Sequence, residues 1–443
     1  MNIRATILAL SLACRGLPAQ PVHHSVRLNV IVTMQEGTNA VLEQVPVKFA
    51  TRSKKIKNLK DRLEGHSRRS QTSVIDLLSM SDDMYDRSES FWLTNQIVVY
   101  NATWKLVKRL RRLSSVMDVS PESVFPLFNP VQVDTASDPT SFDSSNWNIA
   151  QIGAPKIWSS GYTGADVVVG SIDTGVRASH QALRSAFRST HNWYDPETKS
   201  STPYDATGHG THVMGIIAGN NGIGVAPDVK WITCKGCRSS GCVVSDLLAC
   251  FQFMLCPTKW DGTGKDCSKA PDVVNNSWGA GQGITTFNSV INAWRSAGII
   301  PVFASGNTGP SCGSVVSPGD NTNVITVGAT DMNDQLGSYS GKGPTSKGAI
   351  KPDLVAPGSS ITSSCFKSDA EFCVKSGTSM STPHVSGAIA LYLSKVPNAT
   401  YASVRSIFQK TTVTASVSAS SSCSDGSAYP NNNFGFGRLN LSF

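Results

Sequence analysis

From Trp147 onward the chain is built of short apolar runs that stop abruptly at Gly, Asp or Asn and alternate with helix-compatible segments. Val167-Val168-Val169-Gly170-Ser171-Ile172 runs into Asp173, Asp272-Val273-Val274-Asn275 into Asn276, residues 299–304 into Ser305-Gly306-Asn307, and Val324-Ile325-Thr326-Val327 into Gly328. Runs of this kind fit strands buried on both faces, as in a parallel sheet covered by helices on either side. The pattern predicts an α/β domain with a mostly parallel central sheet. In such sheets reactive groups gather at the carboxyl ends of the strands, where Asp173 and Asn307 stand.

The first 130 residues read differently. Two β-rich segments, Ser25 to Thr33 and Phe91 to Tyr100, are each followed by helix-like sequence, with a charged stretch from Arg52 to Arg69 between them, which suits a small α+β unit. Pro130 to Ser145 is rich in Asp, Ser, Thr and Pro without periodicity and reads as a linker. Met1-Asn2-Ile3-Arg4 followed by an apolar stretch from Ala5 to Ala13 and small residues has the layout of a secretory signal, with cleavage after Ala13 or Ala19. The expected organisation is a signal over 1–19, an N-terminal unit over 20–128, a linker with a cleavage site over 129–146, and the α/β domain over 147–443. There is no internal repeat, and Ser416 to Ser427 reads as a Ser-rich surface loop.

The formal net charge of +8 is unevenly placed: residues 1–130 hold 18 Lys+Arg against 11 Asp+Glu, residues 131–443 hold 21 against 20. The domain with the α/β pattern is almost neutral, which argues against a nucleic-acid partner. Lys105 to Leu113 alternates charged with apolar residues at helical spacing and reads as one solvated helix face. No apolar run approaches the roughly 18 residues of a membrane-spanning helix. Of the 11 cysteines, Cys14 lies in or beside the expected signal; the other ten, Cys234 to Cys423, are an even set that suits disulfides, Cys365 with Cys373 being a plausible local pair. The rival reading is a zinc site at Cys234-Lys235-Gly236-Cys237 with Cys242, weakened by the lack of a second CxxC and of a nearby histidine. Sequons stand at Asn101, Asn275, Asn398 and Asn440, of which Asn398 is the best placed for a glycan and Asn275 is expected in a buried strand.

Three segments carry chemistry: Ser171-Ile172-Asp173-Thr174-Gly175, Gly208-His209-Gly210-Thr211-His212 and Gly377-Thr378-Ser379-Met380-Ser381-Thr382-Pro383-His384. Singly each has a bland explanation: a turn, a loop histidine, a helix cap. Together they supply an acid, a base and a hydroxyl. Serine is a poor nucleophile until a base takes its proton, and the base needs an anion to fix its tautomer. Thr211 to Gly219 and Val385 to Lys395 are expected helices, Pro383 being tolerable only in a first turn. That places Ser379 at the positive end of a helix.

These motifs, in the order Asp, His, Ser, resemble those of the subtilases, the order known for subtilisin. The resemblance covers residues 147 to 441, and Gly153 to Trp158, Trp231 to Cys237 and Ala270 to Gly279 are most similar to bacillopeptidase F-type members. It implies a subtilisin-like three-layer fold with about seven strands, preceded by an α+β, ferredoxin-like propeptide that acts as an intramolecular inhibitor. It implies a secreted, autoprocessed, monomeric serine endopeptidase acting on proteins or peptides without a cofactor, structural calcium being common in the family although no ligand cluster stands out here. Asp173, His209 and Ser379 would be the triad, Asn307 the oxyanion-hole amide, and Ser277, Trp278 and Gly279 the substrate-binding strand; His212 and His384 would be structural, and His180 and His191 ordinary. Trp278 is bulky for that strand. A non-enzymatic binding protein on this scaffold is disfavoured by the intact triad, and an esterase by the lack of a Gly-x-Ser-x-Gly elbow.

Overall fold

The computed structural model describes residues 27–46, 48–127, 133–134, 146–414, 423 and 428–443. The expected signal, Cys14, most of the linker and nearly all of the Ser-rich loop lie outside the described residues.

The N-terminal unit runs β1 (Arg27–Met34), α1 (Asn39–Glu43), α2 (Arg52–Ser70), α3 (Thr72–Ser79), β2 (Arg87–Phe91), β3 (Gln96–Thr103), α4 (Trp104–Leu110) and β4 (Val116–Pro121), with an antiparallel sheet in the order β2-β3-β1-β4. This is the βαββαβ arrangement of ferredoxin-like folds. The charged stretch 52–69 is helical because its apolar residues Ile56, Leu59 and Leu63 recur at three- and four-residue spacing and are buried together. Strands β2 and β4 were not expected from the sequence. Both are edge strands with one buried residue each; β2 is polar from Arg87 to Ser90, and Asp118 and Ser120 interrupt the apolar residues of β4, so neither has the apolar run that announced β1 and β3.

Two short strands follow, β5 (Val124–Phe125) and β6 (Val133–Asp134), then helices α5 (Trp147–Gln151) and α6 (Ala154–Ser159). The large domain continues with β7 (Val168–Asp173), β8 (Trp193–Tyr194), α7 (His209–Ala218), β9 (Lys230–Lys235), β10 (Cys242–Val243), α8 (Val244–Leu255), β11 (Val273–Asn276), α9 (Asn288–Ser296), β12 (Ile300–Ala304), β13 (Ile325–Thr330), β14 (Leu354–Pro357), β15 (Ile361–Ser364), β16 (Phe372–Lys375), α10 (Thr378–Lys395) and α11 (Tyr401–Thr411). Seven strands form one parallel sheet, β14-β13-β12-β11-β7-β9-β8. Successive residues of a strand point to opposite faces, and the sheet shows it: Val273 and Val302 join the core beneath α7 and α10, whereas Val274 and Phe303 join the core beneath α8 and α9. Three layers result, as expected. The strand order turns back between β7 and β11, which opens a crevice at their carboxyl ends.

The N-terminal unit docks on the α8/α9 side, where Ile56, Leu59, Leu63 and Trp92 share one core with Phe251, Phe287 and Trp294. Arg52 reaches across to the carbonyls of Ala270, Pro271 and Ala297 and to Asp272 at 2.9 Å. Burial lowers its pKa against the pull of Asp272. Strand β5 pairs antiparallel with β10, Phe125 opposite Cys242. Glu122 accepts from Ser245 N at 3.0 Å in the first turn of α8, a position where a carboxylate is favoured.

Two sequence readings are corrected. Helix α10 begins at Thr378, so Pro383 lies inside it and not in its first turn. The proline removes the N–H that would have bonded Ser379 O, and the side chain of Ser277 donates to that carbonyl instead, at 3.0 Å. Eight of the ten later cysteines pair, as Cys234–Cys250, Cys237–Cys242, Cys256–Cys267 and Cys312–Cys423, which removes the zinc reading of the CxxC. Cys365 and Cys373 are buried thiols. They sit diagonally across the β15–β16 ladder and not opposite each other, because Ser363 pairs with Cys373 and Cys365 N bonds Glu371 O.

Candidate active site

Asp173 ends β7 fully buried, and His209 opens α7 at 1% exposure; Asp173 Oδ1 accepts from His209 Nδ1 at 2.7 Å. That bond fixes the tautomer with Nε2 free to take a proton. The first turn of α7 is organised by a residue the sequence reading passed over. Asp205 Oδ1 accepts from Thr174 Oγ1 at 2.7 Å, Thr207 N at 3.0 Å and Gly208 N at 2.8 Å, and its Oδ2 accepts from Thr211 N at 2.8 Å and Thr211 Oγ1. An aspartate four residues before a Gly-flanked histidine was the available signal. It is a carboxylate placed to collect the unpaired N–H groups of a helix start.

Ser379 stands in the first turn of α10 and is 1% exposed. A Cβ on Gly387 would lie 3.4 Å from Ile217 O. Asp173 and Ser277 directly follow the paired residues Ile172 and Asn276 of neighbouring strands β7 and β11, so His209, bonded to Asp173, and Ser379, bonded to Ser277, stand over adjacent strand ends and the first turns of α7 and α10 adjoin. In this structure the Ser379 hydroxyl donates to Ser277 O at 3.1 Å, and His209 Nε2 is buried with no partner. Ser379 and His209 are thus adjacent but not hydrogen-bonded to each other.

Asn307 follows β12 across the crevice. Its Oδ1 accepts from Thr378 N at 3.0 Å and Thr378 Oγ1 at 2.9 Å, which aims the amide nitrogen the other way. Asn307 Nδ2 is buried without an acceptor. Gly377 lies between it and Ser379 at φ 154°: a Cβ there would come 3.0 Å from Asn307 Nδ2 and 3.7 Å from Ser379 N. Two N–H donors therefore converge on one point beside Ser379, at the positive end of a helix.

Ser277, Trp278 and Gly279 follow β11 and are buried in this form. Ser277 Oγ, which donates to Ser379 O, accepts from Asn275 Nδ2 at 3.1 Å, and Ser386 Oγ donates to Asn275 Oδ1 at 2.9 Å. Asn275 is thus locked in the core, as its strand position suggested. Trp278 packs against Phe251, Phe287 and Phe303, so its bulk fills the core beneath the site. His212 and His384 are bonded elsewhere and not to Asp173 or Ser379. His212 Nε2 faces the carbonyls of Ile361 and Cys373, and burial holds its pKa well below the usual value. His384 bonds Met380 O and Asn148 Nδ2, and burial lowers its pKa to about 4. His180 likewise faces Glu371 O.

Among the described residues no three His, Cys, Asp or Glu side chains gather as a metal site, and no helix is long and apolar enough to cross a membrane.

Comparison with known proteins supplies independent findings. The family described as the subtilase family matches residues 164–437. Bacillopeptidase F of Bacillus subtilis is 36% identical over 400 residues, which cover 84% of this chain and 27% of that protein. Subtilisin E of the same organism is 36% identical over 272 residues, 60% of this chain and 65% of its own length, and the subtilisin-like protease SBT6.1 of Arabidopsis thaliana is 34% identical over 282 residues, 59% of this chain and 25% of its own.

Proposed function

Since the chain belongs to the subtilase family, we propose that it is a secreted serine endopeptidase, made as a zymogen, in which Asp173, His209 and Ser379 hydrolyse peptide bonds through an acyl-enzyme. The observation that carries this reading is the pair of buried, unpartnered nitrogens flanking Ser379, His209 Nε2 and Asn307 Nδ2. What distinguishes this pair from the other unpartnered buried groups of the fold is orientation: each is fixed by a hydrogen bond at the far side of its ring or amide, His209 to Asp173 and Asn307 to Thr378. Here each faces an event of the reaction: Nε2 takes the Ser379 proton as Oγ attacks the scissile carbonyl, and Asn307 Nδ2 with Ser379 N–H receives the charge that develops on the carbonyl oxygen. Asp173 stabilises the imidazolium, which then protonates the leaving amine; water repeats the sequence on the ester. The nucleophile, base and oxyanion donors are all side chain or backbone groups, so the step calls on no cofactor.

The substrate is an extended protein segment lying along residues 277–279 on one side and β10 on the other, pairing as an added strand. The N-terminal unit supports the zymogen reading, because its β5 is already paired with β10 and its Glu122 and Arg52 anchor it to the large domain. In this reading residues 20–128 inhibit, cleavage falls within 129–146, and the mature monomer is extracellular. The test is expression of the full chain beside Ser379→Ala. The wild type should shorten by the N-terminal unit and digest casein, and the variant should do neither. If both stay full length and inactive in folded preparations, a non-enzymatic binding protein replaces the peptidase.

A further inference from the structure

Among the described residues every cysteine is in a disulfide except Cys365 and Cys373. Both lie on the β15–β16 hairpin, on one face of its ladder and one diagonal step apart. Their thiols interact directly: sharing one proton lowers Cys365 to about 7 and pushes Cys373 up. A thiol that ionises near neutrality is the form that attacks disulfides. The pair keeps 5% and 6% of its surface below a hairpin tip, residues 367–370, whose side chains are exposed and whose Asp369 is bonded to Arg177 and Ser179.

The same hairpin grips the helix that carries His209. Ser363 Oγ donates to His212 O at 2.8 Å, and His212 Nε2 donates to Cys373 O at 3.0 Å and Ile361 O at 3.1 Å. Lys375 Nζ donates to Gly208 O at 2.7 Å. The ring of Phe366, next to Cys365, lies so close over Gly208 that a Cβ there would fall 2.2 Å from it. Each cysteine is therefore within one residue of a contact to the segment 208–212.

We propose that Cys365 and Cys373 are a reversible thiol–disulfide couple that transmits the surrounding redox state to the helix bearing His209. The Cys365 thiolate attacks a small-molecule disulfide such as oxidised glutathione and releases one glutathione thiol. Cys373, losing its proton, then attacks the Cys365 sulfur of the mixed disulfide and releases the second. The pair is oxidised by two electrons and the small disulfide is reduced by two. Diagonal cross-strand positions stand about 7–8 Å apart, beyond the usual 4.4–6.8 Å between bridged Cα atoms, so closure draws the strands together. Bridges that force such movement are the more easily reduced ones, which makes the couple reversible while the other four bonds persist.

The test uses the full-length Ser379→Ala chain, which cannot digest itself, so its result stands apart from the peptidase reading. The chain is incubated with oxidised or reduced glutathione and alkylated with N-ethylmaleimide; bridges are mapped by mass spectrometry, and hydrogen exchange is followed over residues 208–212. Oxidation should remove two alkylatable thiols, join the peptides of Cys365 and Cys373, raise Tm by a few degrees and change exchange over 208–212 by about threefold or more. Reduction should reverse all of it with the other four bridges intact, and Cys365→Ser should be indifferent to both treatments. The proposal is overturned if both thiols stay alkylatable, if the bridge opens only on unfolding, or if it closes with exchange over 208–212 unchanged.

Discussion

Replacing Asp205 by Asn keeps the shape of the side chain and removes one acceptor oxygen and the charge. In the structure Asp205 accepts five hydrogen bonds, three of them from N–H groups of the turn that positions His209. Asparagine retains the acceptors on one oxygen and turns an NH₂ toward either Thr211 or the Thr207–Gly208 backbone, so two or three bonds are lost. At about 0.5–1.5 kcal/mol each, plus about 0.3–1 kcal/mol for a carboxylate at a helix start, the loss is about 1–5 kcal/mol, centred near 3. For a domain of this size that lowers Tm by roughly 5–15 °C. Because the disturbed turn holds His209 and not the substrate strand, kcat should fall by about 10-fold or more with KM within about threefold. Thermal unfolding in the Ser379→Ala background and hydrolysis of a peptide p-nitroanilide by the otherwise wild-type enzyme read the two effects. If Asp205→Asn leaves Tm within about 1 °C of the parent and kcat unchanged, Asp205 does not organise the site.

Asn307→Ala should lower kcat by about 10²–10³ with little change in KM, the loss known for the corresponding donor in subtilisin; steady-state kinetics decide it, and a KM effect alone would move Asn307 to substrate binding. His384 is fully buried with its pKa lowered to about 4 from 6.5. The unfolded chain thus binds more protons between those values, and stability is full above about pH 6.5 and falls by roughly 3 kcal/mol as pH drops to 4. Urea unfolding across that range should show the slope, and His384→Asn should flatten it. In a eukaryotic secretory host Asn398, exposed ahead of the Thr400-capped start of α11, should carry a glycan, and Asn275 none; peptide mapping with Asn398→Gln as control checks both.

The parallel sheet was legible because strands buried on both faces are largely apolar, as are Val168 to Gly170 with Ile172, Val273 to Val274 and residues 300–304. Asp173, His209 and Ser379 were legible as motifs, and the fold sets them where two first turns adjoin. What sequence could not show is what depends on pairing across the chain. Edge strands β2 and β4 owe their form to hydrogen bonds with β3 and β1 and not to their own side chains. Pro383 looked like a helix boundary because its effect was judged locally, whereas Ser277, 102 residues before Ser379, satisfies the Ser379 carbonyl that the proline leaves free. Asp205 was passed over because an aspartate in a Gly- and Thr-rich stretch reads as an ordinary turn residue; that it also accepts from Thr174, 31 residues away beside Asp173, shows only in the fold. Cys365 and Cys373 counted as a pair by spacing, but the ladder register sets them one diagonal step apart.

The central claim, that Ser379 is a nucleophile activated by His209, is tested most directly with a fluorophosphonate probe, which bonds covalently only to an activated serine. After release of the N-terminal unit, the account predicts one labelled residue, Ser379, with labelling lost in Ser379→Ala and reduced at least about 10³-fold in His209→Ala. Labelling at another serine, or equal labelling of the His209→Ala chain, would contradict it.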